Sequence, residues 1–101
     1  MEKRRPTYVL DDFKAAAESE AGLTITSTAL RGAAELDLLQ SDIVEAIRLM
    51  QRSMFYKSMT TYSNHRVWQD VYHVPFRGLL LYVKFQSGSL TEFTLVSFKE
   101  K

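Results

Sequence analysis

The sequence predicts one α+β domain, in which N-terminal helices pack on one face of an antiparallel sheet. Apolar residues recur at helical spacing before Met54 and at every second position after it, so the 101-residue chain has a helical part and a strand-rich part. The connections between the predicted strands are too short for the crossovers that parallel strands need. A chain of this length forms one compact core, so residues 1–101 are assigned to a single domain.

Three helices are predicted in the first part. Their expected starts are Asp11 or Asp12, Ser27 or Thr28, and Asp42. Their apolar positions are Phe13, Ala16 and Ala17; Ala29, Leu30, Ala33 and Ala34; and Ile43, Ala46, Ile47 and Met50. Gly22 is expected to end the first helix. Residues 23–26 are short and β-branched, which favours an edge strand between the first two helices.

Four strands are predicted in the second part, at residues 54–62, 67–73, 79–86 and 91–99. The third alternates clearly. Its core face carries Leu79, Leu81, Val83 and Phe85. Its other face carries Leu80, Tyr82, Lys84 and Gln86. One face of the sheet is therefore expected to pack against the helices, while the other stays open, polar and aromatic.

Composition sets limits on function and location. The chain has no cysteine, which excludes disulfides and thiolate metal sites. No apolar stretch approaches the roughly 18 residues of a membrane span, and the first residues lack the apolar centre of a signal peptide. We therefore expect a cytoplasmic protein with no membrane partner.

Charge is distributed unevenly. Residues 1–50 contain six basic and nine acidic residues, whereas residues 51–101 contain seven basic and three acidic residues. Contacts with a polyanion therefore belong to the second half. Residues 55–72 also concentrate aromatic, amide, hydroxyl and lysine side chains, a mixture that suits phosphates and flat bases. RNA is the ligand that this pattern favours.

Several blocks in order resemble a known family. FYKSMTTYS, VWQDVY, a Tyr-x-Lys strand and the terminal VSFKEK are similar to the motility quorum-sensing regulator toxins of bacterial type II toxin–antitoxin systems, as is the opening MEKRRP. The resemblance implies the fold of the RelE-type toxins. It also implies a sequence-selective, metal-independent endoribonuclease, without cofactor, that cuts mRNA at sites containing G-C.

The resemblance also implies which residues form the site. The catalytic positions fall on Lys57, Gln69, Tyr82 and Lys99. Tyr56 and Met59, beside the first lysine, are expected to contact flanking bases, and His73 stands where relatives carry an arginine. Without the resemblance, the two lysines would be interpreted as solvated strand residues, His65 as an exposed turn residue and His73 as structural.

Elementary chemistry makes this set suitable for cleaving RNA. Attack by the ribose 2′-hydroxyl on the adjacent phosphate needs a base, an acid and positive charge, all of which lysine and tyrosine supply. Neighbouring cations lower the pKa of a lysine, so Lys57 or Lys99 is a candidate base or acid. Our hypothesis makes Lys57 the base, Tyr82 the acid, Lys99 the phosphate clamp and Gln69 the positioning residue. The assignment of base and acid stays open.

Two other classes of function are compatible with the sequence. A sheet with exposed aromatic and basic residues also suits an RNA-binding module that does not cut, and an edge strand suits a subunit of a protein complex. The resemblance implies a protein partner as well, a cognate antitoxin with a zinc-containing N-terminal domain and a DNA-binding C-terminal domain. Operator DNA would be reached only through that antitoxin.

Overall fold

The computed structural model describes residues 1–19, 21–89 and 91–101, and it has α+β architecture. Within these residues, helices lie at Leu10–Ala17 (α1), Ser27–Glu35 (α2) and Gln40–Arg48 (α3). Strands lie at Glu2–Lys3 (β1), Leu23–Ile25 (β2), Phe55–Thr60 (β3), Trp68–Phe76 (β4), Leu79–Ser87 (β5) and Phe93–Glu100 (β6). They form one sheet in the order β1-β3-β4-β5-β6-β2, with the short strands at the edges.

The sheet is mixed. Its four long strands form the predicted antiparallel meander. The prediction of a wholly antiparallel sheet is wrong, because β2 pairs in parallel with β6. Short turns constrain only the meander, whereas two helices and three strands separate β2 from β6 and leave ample chain for a parallel return. The prediction that the helices come first is also inexact, since β1 precedes α1 and β2 separates α1 from α2.

The first helix is shorter than predicted. Asp11 and Asp12 lie in its first turn rather than at its N-cap, and it ends at Ala17, before Gly22. Glu20, which falls inside the predicted helix, lies outside the described residues. Acidic residues favour the first turn as well as the cap, because both positions face the positive end of the helix dipole, so the sequence alone does not separate the two.

The other two helices begin at caps that the pattern misplaces by one to three residues. Thr26 caps α2: its hydroxyl accepts a hydrogen bond from Ala29 N at 3.0 Å and donates one to Val96 O at 2.9 Å. Asp42 lies inside the first turn of α3, where its carboxylate accepts a hydrogen bond from Leu39 N at 2.7 Å. The hydrogen bond from Thr26 to Val96 holds the start of α2 against β6, the strand that carries Lys99.

The core lies between the helices and one face of the sheet. The rings of Phe13 in α1 and Phe85 in β5 stack with centroids 3.7 Å apart and planes inclined by 2°. Around them the largest buried side chains are Tyr72, Phe98, Ile43, Ile47, Met50, Leu81, Leu95, Val74 and Val83. Full burial of such a side chain stabilises the fold by about 1.5–3 kcal/mol, so this face holds the sheet and the helices together.

The segment between β1 and α1 is fixed by a buried carboxylate. Asp70 in β4 is 0% exposed and accepts hydrogen bonds from Thr7 N at 3.0 Å and Tyr8 N at 2.9 Å. The hydroxyl of Thr7 lies 2.8 Å from that of Ser58 in β3. Because these contacts anchor the chain beside β3, the preceding residues are held at the edge of the sheet. Glu2 therefore lies on the face of the sheet that is turned away from the helices.

Gly32 marks the closest approach of α2 to β6. A Cβ atom at this position would collide with the carbonyl oxygen of Phe98, which lies next to Lys99. We expect Gly32→Ala to lower the free energy of unfolding by about 1–3 kcal/mol, despite the better helix propensity of alanine, because the helix must move off the strand. Urea unfolding measures the change.

Gly88 provides the matched control, since a Cβ atom there would meet no atom within 4 Å. Gly88→Ala should leave the unfolding midpoint nearly unchanged. An equal effect of the two substitutions would contradict the close approach of α2 and β6.

Candidate active site

The face of the sheet turned away from the helices, called the open face below, carries three rows of side chains that run across the strands. The first row contains Tyr56, His73, Tyr82 and Lys99. The second contains Lys57, Val71, Lys84 and Ser97. The third contains Met59, Gln69, Gln86 and Thr94. The structure thus places every side chain predicted for the site on one face.

The first row is mostly aromatic. A register shift between Phe55 and Lys57 leaves Tyr56 as an extra residue in β3, and its ring stacks on that of His73 with centroids 4.3 Å apart. The ring of Tyr82 follows, 6.2 Å from His73. Burial lowers the pKa of His73, and the positive charge of Lys101 acts in the same direction, so this imidazole is neutral near pH 7. The row therefore places aromatic rings on which a base can stack along one line of the open face.

Lys99 lies at the β6 end of the first row. It lies directly opposite Tyr82 in the β5–β6 pairing, and its ammonium group is 5.2 Å from the centre of the Tyr82 ring. A cation above the face of a phenol is held there by the ring quadrupole. This arrangement places a positive charge over the Tyr82 ring.

Lys57 forms an ion pair at the edge of the open face. Its ammonium group donates a hydrogen bond to Glu2 Oε2 at 2.9 Å, and only 18% of its side chain is exposed. This hydrogen bond raises the pKa of Lys57. We expected neighbouring cations to lower the pKa of a site lysine, and at Lys57 the direction is opposite. Lys57 is accordingly a charged group at neutral pH.

The lysine with a lowered pKa is Lys84, which the sequence prediction did not include in the site. It is half-buried at the middle of the second row, and burial lowers its pKa, assisted by the charges of Lys99 and Lys57. Alternation along the third predicted strand already placed Lys84 on the open face, two residues from Tyr82. That position was the available signal, and the Tyr-x-Lys block contains it.

The Tyr82 hydroxyl remains a proton donor over a wide pH range. Burial is the main cause that raises its pKa, and the charge of Lys57 only partly offsets it. Successive residues on one face of a strand are about 6.6 Å apart, so Tyr82 and Lys84 are neighbours along β5. A proton donor and a lysine of lowered pKa therefore lie side by side.

Gln69 lies at the far end of the open face. Its side chain is 8% exposed, and its amide nitrogen donates a hydrogen bond to Gln86 Oε1 at 2.7 Å. Four residues along a strand separate it from His73, which corresponds to about 13 Å. Gln69 and Met59 are thus close to Lys84 but not to Lys99, and the predicted catalytic set is spread across all three rows.

In the part of the chain that the structure describes, no three His, Asp or Glu side chains are grouped to hold a metal ion. No helix within the described residues is long and apolar enough to cross a membrane.

Comparisons with known proteins identify the family. Residues 5–100 match the family described as "Motility quorum-sensing regulator, toxin of MqsA". The chain is also 40% identical, over 101 residues that cover 100% of both chains, to the mRNA interferase toxin MqsR of Escherichia coli (strain K12). The chain belongs to this toxin family. The family predicted from the sequence is confirmed, and the enzyme class predicted with it agrees with the name of this relative.

Proposed function

We propose that this chain is an mRNA interferase, an endoribonuclease that cuts mRNA through attack of the ribose 2′-hydroxyl on the adjacent phosphate. The observation that carries the proposal is the grouping of Lys57, Lys84, Lys99 and Tyr82 on one face of the sheet. Cleavage at sites containing G-C and independence from metal ions are parts of the same proposal, taken from the sequence resemblance.

The phosphate is bound by the two charged lysines. On the open face, Lys57 in β3 and Lys99 in β6 lie on either side of the strand that carries Lys84, and both lower its pKa. A phosphorane gains negative charge as the 2′-oxygen attacks, and fixed cations on either side stabilise it. Substrate phosphate would compete with Glu2 for Lys57, an exchange that keeps this lysine protonated.

Lys84 takes the role of base in this proposal, in place of Lys57. A base must lose its proton before it can accept one, and the lowered pKa of Lys84 increases the fraction of free amine at neutral pH. The 2′-hydroxyl gives its proton to Lys84 Nζ while the bond from O2′ to phosphorus forms. The positive charges of Lys57 and Lys99, which bind the phosphate, thus also lower the pKa of Lys84.

Tyr82 acts as the acid. As the bond from phosphorus to O5′ breaks, the phenol gives its proton to O5′, which leaves a 2′,3′-cyclic phosphate and a 5′-hydroxyl. Its raised pKa keeps the phenol protonated until the substrate arrives, and the positive charge of Lys57, which acts to lower that pKa, stabilises the phenolate that forms. Solvent then exchanges protons with both side chains and restores the site.

The remaining predicted residues hold the RNA on either side of the reacting phosphate. Tyr56 and His73 offer the stacked surface of the first row. Met59 and Gln69 contact the nucleotide at the opposite end, where the amide is held by Gln86.

The family description names a toxin with a protein partner. We propose that a cognate antitoxin inhibits this chain, and that zinc and operator DNA belong to the antitoxin alone. An inhibitor of this kind must prevent RNA from reaching the open face.

Arginine substitutions separate the roles of the three lysines. Arginine keeps the charge but is not deprotonated in proteins. Lys84→Arg should therefore lower the cleavage rate by about 10²–10⁴-fold while RNA still binds, whereas Lys57→Arg and Lys99→Arg should retain most of the activity. Single-turnover cleavage of labelled RNA measures the rates, and relief of growth arrest in bacteria that express the chain alone gives a second readout.

The pH profile provides the control. Activity of the native chain should rise with pH as Lys84 loses its proton, and the lowered pKa moves this rise below the range of an ordinary lysine. Lys57→Arg should keep the rise. If Lys84→Arg cuts at the native rate, Lys84 is not the base. If Lys57→Arg alone removes the rise, Lys57 is the base. Binding without cleavage by the native chain would instead indicate a non-catalytic RNA-binding module.

A further inference from the structure

A cleft adjoins the active site at the end of the open face where the third row lies. It has a volume of about 690 Å³, within the range of small-molecule sites, and its lining includes Met59, Thr61, Tyr62, His65, Gln69 and Lys84. Gln69 and Lys84 belong to both the cleft and the proposed active site. We propose that this cleft binds the nucleobase of the nucleotide on the 5′ side of the cut, with Tyr62 as its stacking platform. The proposal rests on the proposed function.

Tyr62 offers a stacking surface that nothing in the described fold uses. Its side chain is fully exposed, although it follows directly on β3. The loop that carries it is held by hydrogen bonds, from Thr61 Oγ1 to Asn64 O at 2.7 Å and from Thr61 N to Val67 O at 3.0 Å. A tyrosine ring presented by a fixed loop loses little conformational freedom when a base stacks on it.

The polar lining of the cleft suits an uncharged base next to a phosphate. None of the described side chains that line it is a carboxylate, and Lys84, the proposed base, lies at the boundary with the active site. The Gln69 amide, which donates a hydrogen bond to Gln86, also lines the cleft and can form hydrogen bonds with the edge of a base.

The positions of base and acid determine which nucleotide enters the cleft. The 2′-hydroxyl that attacks belongs to the nucleotide 5′ of the cut, and its proton goes to Lys84, which lines the cleft. O5′ of the next nucleotide receives a proton from Tyr82, which lies one row further away, beside His73. The 5′ nucleotide therefore lies at the cleft, and the 3′ nucleotide at the row of Tyr56 and His73.

A double-mutant cycle tests this assignment. The ligand is an RNA oligonucleotide that carries a 2′-methoxy group at every ribose and so cannot be cut. In a series of such oligonucleotides, one nucleotide at a time is replaced by an abasic 2′-methoxy ribose. Dissociation constants of the series are measured by fluorescence anisotropy for the native chain and for Tyr62→Ala. We expect Tyr62→Ala to weaken binding of the full oligonucleotide by roughly 5–150-fold, which corresponds to the loss of one stacked base. At one position only, the abasic ribose should remove this difference between the two proteins.

That position should be immediately 5′ of the cut found with unmodified RNA of the same sequence. Tyr62→Phe keeps the ring and should bind as the native chain does, and Leu39→Ala, at an exposed apolar residue that precedes α3, controls for loss of apolar surface. Equal binding by Tyr62→Ala and the native chain, or coupling to the position 3′ of the cut, would overturn the assignment. Coupling with no cleavage of unmodified RNA would refute the proposed function and leave the base-binding cleft standing.

Discussion

Tyr82→Phe should lower the rate of RNA cleavage by about 10²–10⁴-fold, because it removes the proton donor to O5′ and little else. Phenylalanine keeps the ring that lies beside His73 and under the Lys99 ammonium group. Affinity for an uncleavable RNA should therefore change little. Single-turnover rates and anisotropy titrations measure the two quantities separately.

The effect of this substitution on folding should be small. The hydroxyl is on the open face and not in the core, so the free energy of unfolding should change by less than about 0.5 kcal/mol. A substrate with a bridging sulfur atom in place of O5′ supplies a sharper control, since its thiolate leaving group needs no proton. Tyr82→Phe should cut it nearly as fast as the native chain does. If Tyr82→Phe cuts the ordinary RNA at the native rate, Tyr82 is not the acid.

Alternation of side chains was sufficient to predict the four-stranded meander that carries the site, but not the whole sheet. The period of two after Met54 placed Tyr82 and Lys84 on the open face, and short turns fixed the meander, because both are local properties of the sequence. The parallel pairing of β2 with β6 could not be predicted in this way. It depends on contacts between segments far apart in the chain, such as the hydrogen bond from Thr26 to Val96.

The sequence predicted which residues belong to the site better than it predicted their protonation states. The family blocks identify Lys57, but its charge state depends on Glu2, which β1 brings to the edge of β3. A strand of two residues has no detectable period, so the pattern gave no reason to expect this neighbour. The role of Lys84 likewise depends on its burial and on two distant lysines, which only the strand register reveals.

The extra residue in β3 shows a third limit of the pattern. Strict alternation would place Tyr56 on the face opposite to Lys57, yet the register shift turns its ring onto His73 on the open face. Bulges of this kind are set by the fit of one strand against its neighbour. The prediction that Tyr56 contacts RNA came from the family blocks and not from periodicity.

The central claim is that the nucleophile is the substrate's own 2′-hydroxyl and that lysine and tyrosine side chains activate it. An RNA containing G-C is incubated with the native chain in excess EDTA, in two forms that differ only in the ribose 5′ of the cut. The unmodified RNA should be cut to a 2′,3′-cyclic phosphate and a 5′-hydroxyl, and a single 2′-methoxy group should abolish cleavage, because it removes the attacking oxygen's proton. Cleavage of the 2′-methoxy RNA at an undiminished rate, or activity that returns only with added Mg²⁺, would contradict the mechanism.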